Sequence, residues 1–443
     1  MRSVMLAAAG ASLGAITCGL YLTEAAATDP FELVRSAITL PCQAAPGTTG
    51  LARLAERLPG ARPQESWVRY SGMDIVGGRM EFEVADDKLT IQFSGQAGTP
   101  GAVSARYLAT EARLPRLLAI ADGSCTIHTA RQLSYDAWNR PAWLQDLDSR
   151  LRPVGERLPL NPPVPAGANP PGTLVAVVDT GVNYLLPEIG TRLARDKNGE
   201  ILGYDYFDLD RRPFDVAPDS DPFYPEHHGT LVASLLLAEA PVARLVPYRL
   251  PRGHMTRMAM LIEHAARRGV RVINLSLASQ NRDEWLPFRE AARTNPEMLF
   301  VVAAGNWGRD LAQQPAYPAA LGLENAIVVT AAKPSGELAA GVNFGPRVDI
   351  MAPGEEILAL NFDGVRRKVS GSSYATARIS ALATCLLAEH PEWTSAQLKA
   401  AILLEAHDDK ATLVAQGFLP EEVLGNRGAC RRTLACRGPG PAC

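Results

Sequence analysis

No feature of this chain restricts its fold as much as the alternation that begins at Leu174, where short apolar runs take turns with amphipathic ones. Leu174–Val178, Arg244–Tyr248, Val270–Leu275, Leu299–Ala303 and Ala326–Thr330 are short and apolar enough to be buried strands. Among and after them, Thr230–Glu239, Thr256–Arg268, Ser373–Glu389 and Thr394–Ala406 carry apolar residues at helical spacing, and Thr394 with Gln397 has the spacing of a capping box. Strands joined by helical crossovers form a parallel sheet covered on both faces. The expectation is therefore an α/β fold of three layers with a mainly parallel central sheet. In such sheets ligands sit outside the carboxyl ends of the strands.

One stretch, Gly371-Ser372-Ser373-Tyr374-Ala375-Thr376, opens a run that is apolar on almost every side. Ile379, Leu382, Ala383, Leu386 and Leu387 recur at helical spacing, and Arg378 is the only charge before Glu389. Such a helix must be buried. A serine at its amino end sits in the positive end of the helix dipole, which suits a nucleophile whose product is an oxyanion. The simpler role for Ser372 or Ser373 is a helix N-cap.

Three residues at strand ends and helix starts change that balance. Asp179 directly follows the first strand, His228 precedes Gly229-Thr230 and an amphipathic run, and Asn306 follows Val301–Gly305. A serine hydroxyl is a poor nucleophile without a base, and histidine, with an ordinary pKa of about 6.5, is the usual one. A carboxylate must hold the imidazole in one tautomer, and donors must meet the oxyanion. Asp179 fits the first need, and the Asn306 side chain with the Ser373 backbone N–H fits the second. Taken singly, Asp179 and Asn306 also read as turn residues, and His228, beside His227, as a surface residue.

The order Asp, His, Ser, at intervals of 49 and 145 residues, is where residues 172 to about 406 resemble a subtilisin-type serine peptidase domain. Val178-Asp179-Thr180-Gly181 resembles that family's aspartate motif and His228-Gly229-Thr230 its histidine motif. Ala304-Gly305-Asn306 resembles the oxyanion motif, Gly371-Ser372-Ser373 with Ala375 the serine motif, and Ala352-Pro353-Gly354 a turn before it. The resemblance implies an endopeptidase in which Ser373 attacks the peptide carbonyl, His228 shuttles the proton, Asp179 orients His228 and Asn306 stabilises the oxyanion. It also implies that Ser276, Leu277 and Ala278 on one side, and Ala303, Ala304 and Gly305 on the other, bind an extended substrate through its main chain.

The departures fall mostly outside the chemistry. Leu231 stands where a second histidine is common, Ala377 where a proline follows the nucleophile, and Ser372 where threonine is frequent. Ala278 replaces a usual glycine, so its methyl narrows the pocket mouth. The alternative reading is a catalytically silent binding protein on the same scaffold, and the presence of all four chemical positions speaks against it. An α/β-hydrolase would run Ser, Asp, His and carry Gly-x-Ser-x-Gly, whereas the second residue after Ser373 is Ala375.

The rest of the chain divides by composition. Residues 1–27 combine Arg2, an uncharged stretch from Val4 to Leu22 and small residues Ala25 to Ala27, the pattern of an export signal cut near Ala27. An uncleaved membrane anchor or a lipid anchor at Cys18 are the alternatives. Residues 28–150 are expected to form a smaller α+β domain, with strands around Trp67–Ile75, Arg79–Val84 and Leu89–Phe93 and helices at Gly50–Leu58 and Ser104–Ala119. By resemblance this domain is either an inhibitory prodomain or a retained accessory domain. Residues 151–171 are proline-rich and read as a stiff, exposed linker. The catalytic domain is then expected at 172–410 and a cysteine-bearing tail at 411–443.

An exported chain can form disulfides. Cys42 and Cys125 are available to each other, Cys430, Cys436 and Cys443 crowd the tail, and Cys385 in the apolar helix reads as a buried free thiol. No cysteine pair has zinc-ligand spacing with histidines, so no metal cage or other cofactor is expected. Asp205, Asp208, Asp210, Asp215, Asp219 and Asp221 crowd the loop from Gly203 to Glu226; calcium is the bolder reading and a solvated acidic loop the expected one. A net charge of -3 offers no basic field for nucleic acid, which leaves protein or peptide substrates as the expected partners. Abundant alanine, arginine, leucine and proline with little lysine suggest a bacterium with a GC-rich genome, and the export signal a periplasmic or secreted product.

Overall fold

The computed structural model describes residues 29–43, 58, 60–71, 74–96, 99–109, 114–217, 221–250, 255–407, 413–424 and 430. They fall into two compact units, Met1–Arg113 with Leu117–His128, and Leu114–Arg116 with Thr129–Cys443. The expected export signal lies outside the described residues. Among the described residues no helix is long and apolar enough to cross a membrane.

In the first unit β1 (Ala61–Ser71), β2 (Asp74–Val84), β3 (Asp87–Gln96) and β4 (Thr99–Ala109) form an antiparallel meander. Helix α1 (Pro30–Gln43) packs on β3 and β4 through buried Leu33, Val34, Ala37 and Ile38. A disulfide joins Cys42 to Cys125, the pairing available in the sequence. Ser104–Ala119 is not the expected helix: its described residues lie in β4 and β5 (Leu114–Asp122). Good helix formers there are overruled by pairing with β3, which buries Val103, Ala105 and Tyr107 on alternate positions. Residues 50–57 of the other expected helix lie outside the described residues.

In the second unit β6 (Ile127–Tyr135), from Thr129 on, pairs antiparallel with β7 (Pro141–Leu147), and β7 with the short β8 (Leu158–Pro159). The main sheet has seven strands: β9 (Thr173–Asp179), β10 (Tyr204–Asp205), β11 (Ala243–Arg249), β12 (Val272–Leu275), β13 (Leu299–Ala303), β14 (Ala326–Ala332) and β15 (Ile350–Pro353). Their spatial order is β10-β11-β9-β12-β13-β14-β15, and every pairing is parallel. After β9 the chain places β10 at one edge and β11 between the two, then crosses to the other side of β9 and builds β12 to β15 outward. A crevice therefore opens at the carboxyl ends of β9 and its neighbours. The described helices include α2 (Gly229–Glu239), α3 (Met258–Arg267), α4 (Leu286–Thr294), α5 (Ser372–Glu389), α6 (Ser395–Leu404) and the short α7 (Glu421–Leu424). A two-stranded ribbon, β16 (Ile357–Leu360) with β17 (Arg366–Val369), precedes α5.

The apolar runs read as strands are almost wholly buried, with Val175 to Val178 and Leu299 to Val302 at 1% exposure or less. Helix α5 is buried along most of its length, as its uncharged sequence requires. Its one early charge, Arg378, is 3% exposed and lies 2.7 Å from Glu239 and 2.6 Å from Glu421.

The proline-rich segment is mostly exposed, as expected, but it is tied to the body: Leu151 and Leu160 are buried, and the Pro162 and Pro165 carbonyls accept from Tyr184 Oη and Arg195 Nη2. Prolines lose a donor but keep an acceptor, so such a segment can still be tied to the body. The compact units instead divide between residues 113 and 129. The described residues of the tail are tied to the sheet, since the Met351 N–H donates to Gly417 O and the Leu419 N–H to Met351 O. Cys385 is no free thiol, for it is bonded to Cys430.

Candidate active site

Each candidate residue owes its place to an element end. Asp179 closes β9 and is fully buried. In the sheet register it lies beside Arg249, while Val178 lies between Tyr248 and Leu275, so the next residues of β9 and β12 emerge side by side. His228 is the residue before α2, and Gly229 explains how close that helix comes. A Cβ there would lie 2.0 Å from Gly181 O and 3.0 Å from the Asp179 Cβ. Only glycine allows the helix start to rest on the Asp179 turn.

That contact brings His228 Nδ1 to 2.8 Å from Asp179 Oδ1 and 2.9 Å from Oδ2. A ring nitrogen against a carboxylate carries its proton there, which leaves Nε2 unprotonated in the neutral ring and turned away from Asp179. The His228 ring lies 6.0 Å, centroid to centroid, from Tyr374, the residue after Ser373. Burial and the Asp179 charge push the Tyr374 phenol up to about 12.

Ser373 occupies the first turn of α5 and is 7% exposed. The N-cap position belongs to Gly371, with no side-chain cap, so neither serine is the cap that the simpler reading proposed. Gly371 has φ 142°, and a Cβ on it would lie 3.2 Å from Asn306 Nδ2. The Ser372 hydroxyl accepts the Gly305 N–H at 3.1 Å, and the Ser372 N–H donates to Asn306 Oδ1 at 2.9 Å. These bonds clasp the Gly305-Asn306 turn to the amino end of α5. With Oδ1 engaged, the Asn306 amide turns its donor nitrogen to the other side.

Further residues hold this frame that carried no signal in the sequence. Fully buried Asn343 donates to Ala304 O and accepts from the Trp307 and Arg309 N–H groups, fixing the turn after β13. Buried Asn274 donates to Ser276 Oγ and accepts from Ser380 Oγ, while Ser276 Oγ donates to Ser373 O, tying β12 to α5. Asp215 is fully buried and bonded to Thr180 Oγ1 at 2.5 Å. Burial pushes its carboxyl above the usual range, against the Thr180 and Thr230 hydrogen bonds.

In front of this frame lies a cleft of about 720 Å³. Asp179, His228, Asn306 and Ser373 all border it, as do Ser276, Leu277, Ala278, Ala303 and Gly305. Ala304 does not: it is fully buried behind the turn. Glu226, Leu250 and Trp307 also line the cleft, and only their neighbourhood to the motif residues hinted at this.

The acidic loop is not solvated as expected. Asp205 and Asp208 share Arg249 Nη1 at 2.8 and 2.7 Å, Asp210 takes Arg140 and Asn161, and Asp221 accepts the Phe223 N–H. Asp219 lies outside the described residues. Among the described residues no group of three or more His, Cys, Asp or Glu is arranged to hold a metal ion.

Residues 171–419 match the model of the subtilase family (peptidase S8). A thermophilic serine proteinase of Bacillus sp. (strain AK1) is 32% identical over 232 residues, 49% of this chain and 53% of that protein. Halolysin of Haloferax mediterranei is 31% identical over 231 residues, 49% of this chain and 41% of that protein. The chain thus spans about half the length of these curated relatives. Among solved structures, a cold adapted subtilisin-like serine proteinase is 25% identical, with 59% of this chain and 93% of that one covered at a TM-score of 0.47. With more than half of its residues matched to the family model, this chain belongs to the subtilase family.

Proposed function

We propose that this protein is a serine endopeptidase acting on protein or peptide substrates. The observation that carries the reading is the His228 Nδ1 contact with buried Asp179, in the same cleft as Ser373 and Asn306. Ser373 Oγ attacks the scissile carbonyl carbon while His228 Nε2 takes its proton. Asp179 keeps the proton on Nδ1 and balances the imidazolium. The Asn306 Nδ2 donor and the Ser373 N–H meet the oxyanion, in the positive end of the α5 dipole. His228 then protonates the leaving amine, and a water deprotonated by His228 releases the acyl group. Ser276, Leu277 and Ala278 with Ala303 and Gly305 provide walls along which an extended chain pairs.

Export is part of the proposal, supported by two disulfides and by the uncharged stretch from Val4 to Leu22. The amino-terminal region acts in it as an inhibitor or as an accessory module. A shift to lower mass in active protein, absent in Ser373→Ala, identifies self-processing.

The deciding experiment is reaction with a fluorophosphonate, followed by peptide mapping. Labelling at Ser373 that disappears in His228→Ala is expected. A folded protein that takes up no label overturns the reading.

A further inference from the structure

Asp215 makes no bond to be broken or formed in the proposed reaction, yet it is hydrogen-bonded both to the residue after Asp179 and to the backbone of His228. It lies in the loop between β10 and α2, fully buried. Its Oδ1 accepts the Thr180 hydroxyl at 2.5 Å and the His228 N–H at 3.3 Å, and its Oδ2 accepts the Thr230 N–H at 2.8 Å. The Thr180 hydroxyl oxygen in turn accepts the N–H groups of His228 at 3.1 Å and Gly229 at 2.8 Å. The Asp215 carbonyl meets His227 Nδ1 at 2.5 Å, and that ring is stacked on Phe362 at 3.7 Å.

Helix α2 begins with N–H groups that have no partner inside the helix. Here they converge on one carboxylate and one hydroxyl, and the hydroxyl belongs to the residue after Asp179. The backbone that carries the carboxylate and the backbone that carries the imidazole are thus referred to the same buried group. A helix cap alone would need no link to Thr180. The 2.8 Å contact between His228 and Asp179 depends on the separation of these two backbones, and an ångström of slack at a reacting pair costs about 10²-fold in rate.

We propose that Asp215 is a positioning residue for the Asp179–His228 pair, acting through the Thr180 hydroxyl. This rests on the serine peptidase reading above. The test measures kcat and KM on a peptide substrate, and the rate of fluorophosphonate labelling at Ser373, per folded molecule. D215N is expected to lower kcat and labelling rate together by about 10- to 100-fold with KM little changed. T180V, which removes only the hydroxyl, is expected to do the same without requiring D215N to fold, and T180S to recover most of that loss. The double variant should lose little more than the worse single one.

Wild-type labelling rates in folded T180V or D215N overturn the inference alone. So does a loss confined to KM, or a T180S that is no better than T180V. Absence of labelling in the wild type overturns the peptidase reading and this inference with it.

Discussion

At the residue scale the site is a set of hydrogen bonds in which the Asn306 side chain keeps one donor for the substrate. Asn306 spends its carbonyl oxygen on the Ser372 N–H, so its remaining contribution is Nδ2. Asn306→Ala should lower kcat by about 10²–10³, the loss known for removing one oxyanion donor from subtilisin, with KM nearly unchanged. Steady-state kinetics on a chromogenic peptide check this, and a loss carried mainly by KM would contradict the role. The motif residues stood out because the proposed chemistry needs their types, and their order along the chain came from the family resemblance. Asp215, Asn343 and Asn274 did not, because an Asp or Asn whose partners are distant in sequence looks like any turn residue. Their partners become visible only when β9, β12 and β13 are side by side.

At the scale of elements, legibility followed burial. Strands β9, β11, β12, β13 and β14 and the helices α2, α3, α5 and α6 were read closely because their apolar residues recur at strand or helix spacing; β10 and β15 were not, and Ala352-Pro353, read as part of a turn, closes β15. The segment 104–119 misled because its pairing with β3, not its own propensity, decides its state. Packing of α3 against β11 carries a consequence for pH. His264 on α3 lies 2.9 Å from the Tyr248 hydroxyl on β11. Burial, followed by Arg268, Arg267 and Arg211, pushes the imidazole down to about 4. An unfolded histidine titrates near about 6.5, so the unfolded chain binds a proton that the folded chain refuses. The contribution is complete above that value and is lost as pH falls toward about 4. Thermal melting followed from neutral to acid pH should show this decline, and His264→Gln should flatten it. An unchanged slope in the variant would remove His264 as its source.

At the scale of the whole molecule, the helix that presents Ser373 is held from behind by the end of the chain. The Cys385–Cys430 disulfide and the Arg378–Glu421 ion pair both join α5 to residues after 420. Cys430→Ser should cost about 2–4 kcal/mol in denaturant unfolding of the oxidised protein, the usual range for a lost native disulfide. Equal midpoints for the two proteins would show that the ion pair and packing suffice. Sequence alone could place Cys385 in a buried helix, but cysteine connectivity is a property of the folded chain.

The segment Gly417–Leu419 has a further effect through its bonds to Met351. Strand β15 is the last in the order of the main sheet, so its outer side would otherwise present unpaired N–H and C=O groups. Such an open edge is a template for any extended polypeptide. A protein proposed to grip extended chains by their backbones has one place where that grip leads to cleavage. At β15 the same kind of pairing would only sequester substrate or seed association between copies. By laying Gly417–Leu419 there, the chain closes this edge to such pairing.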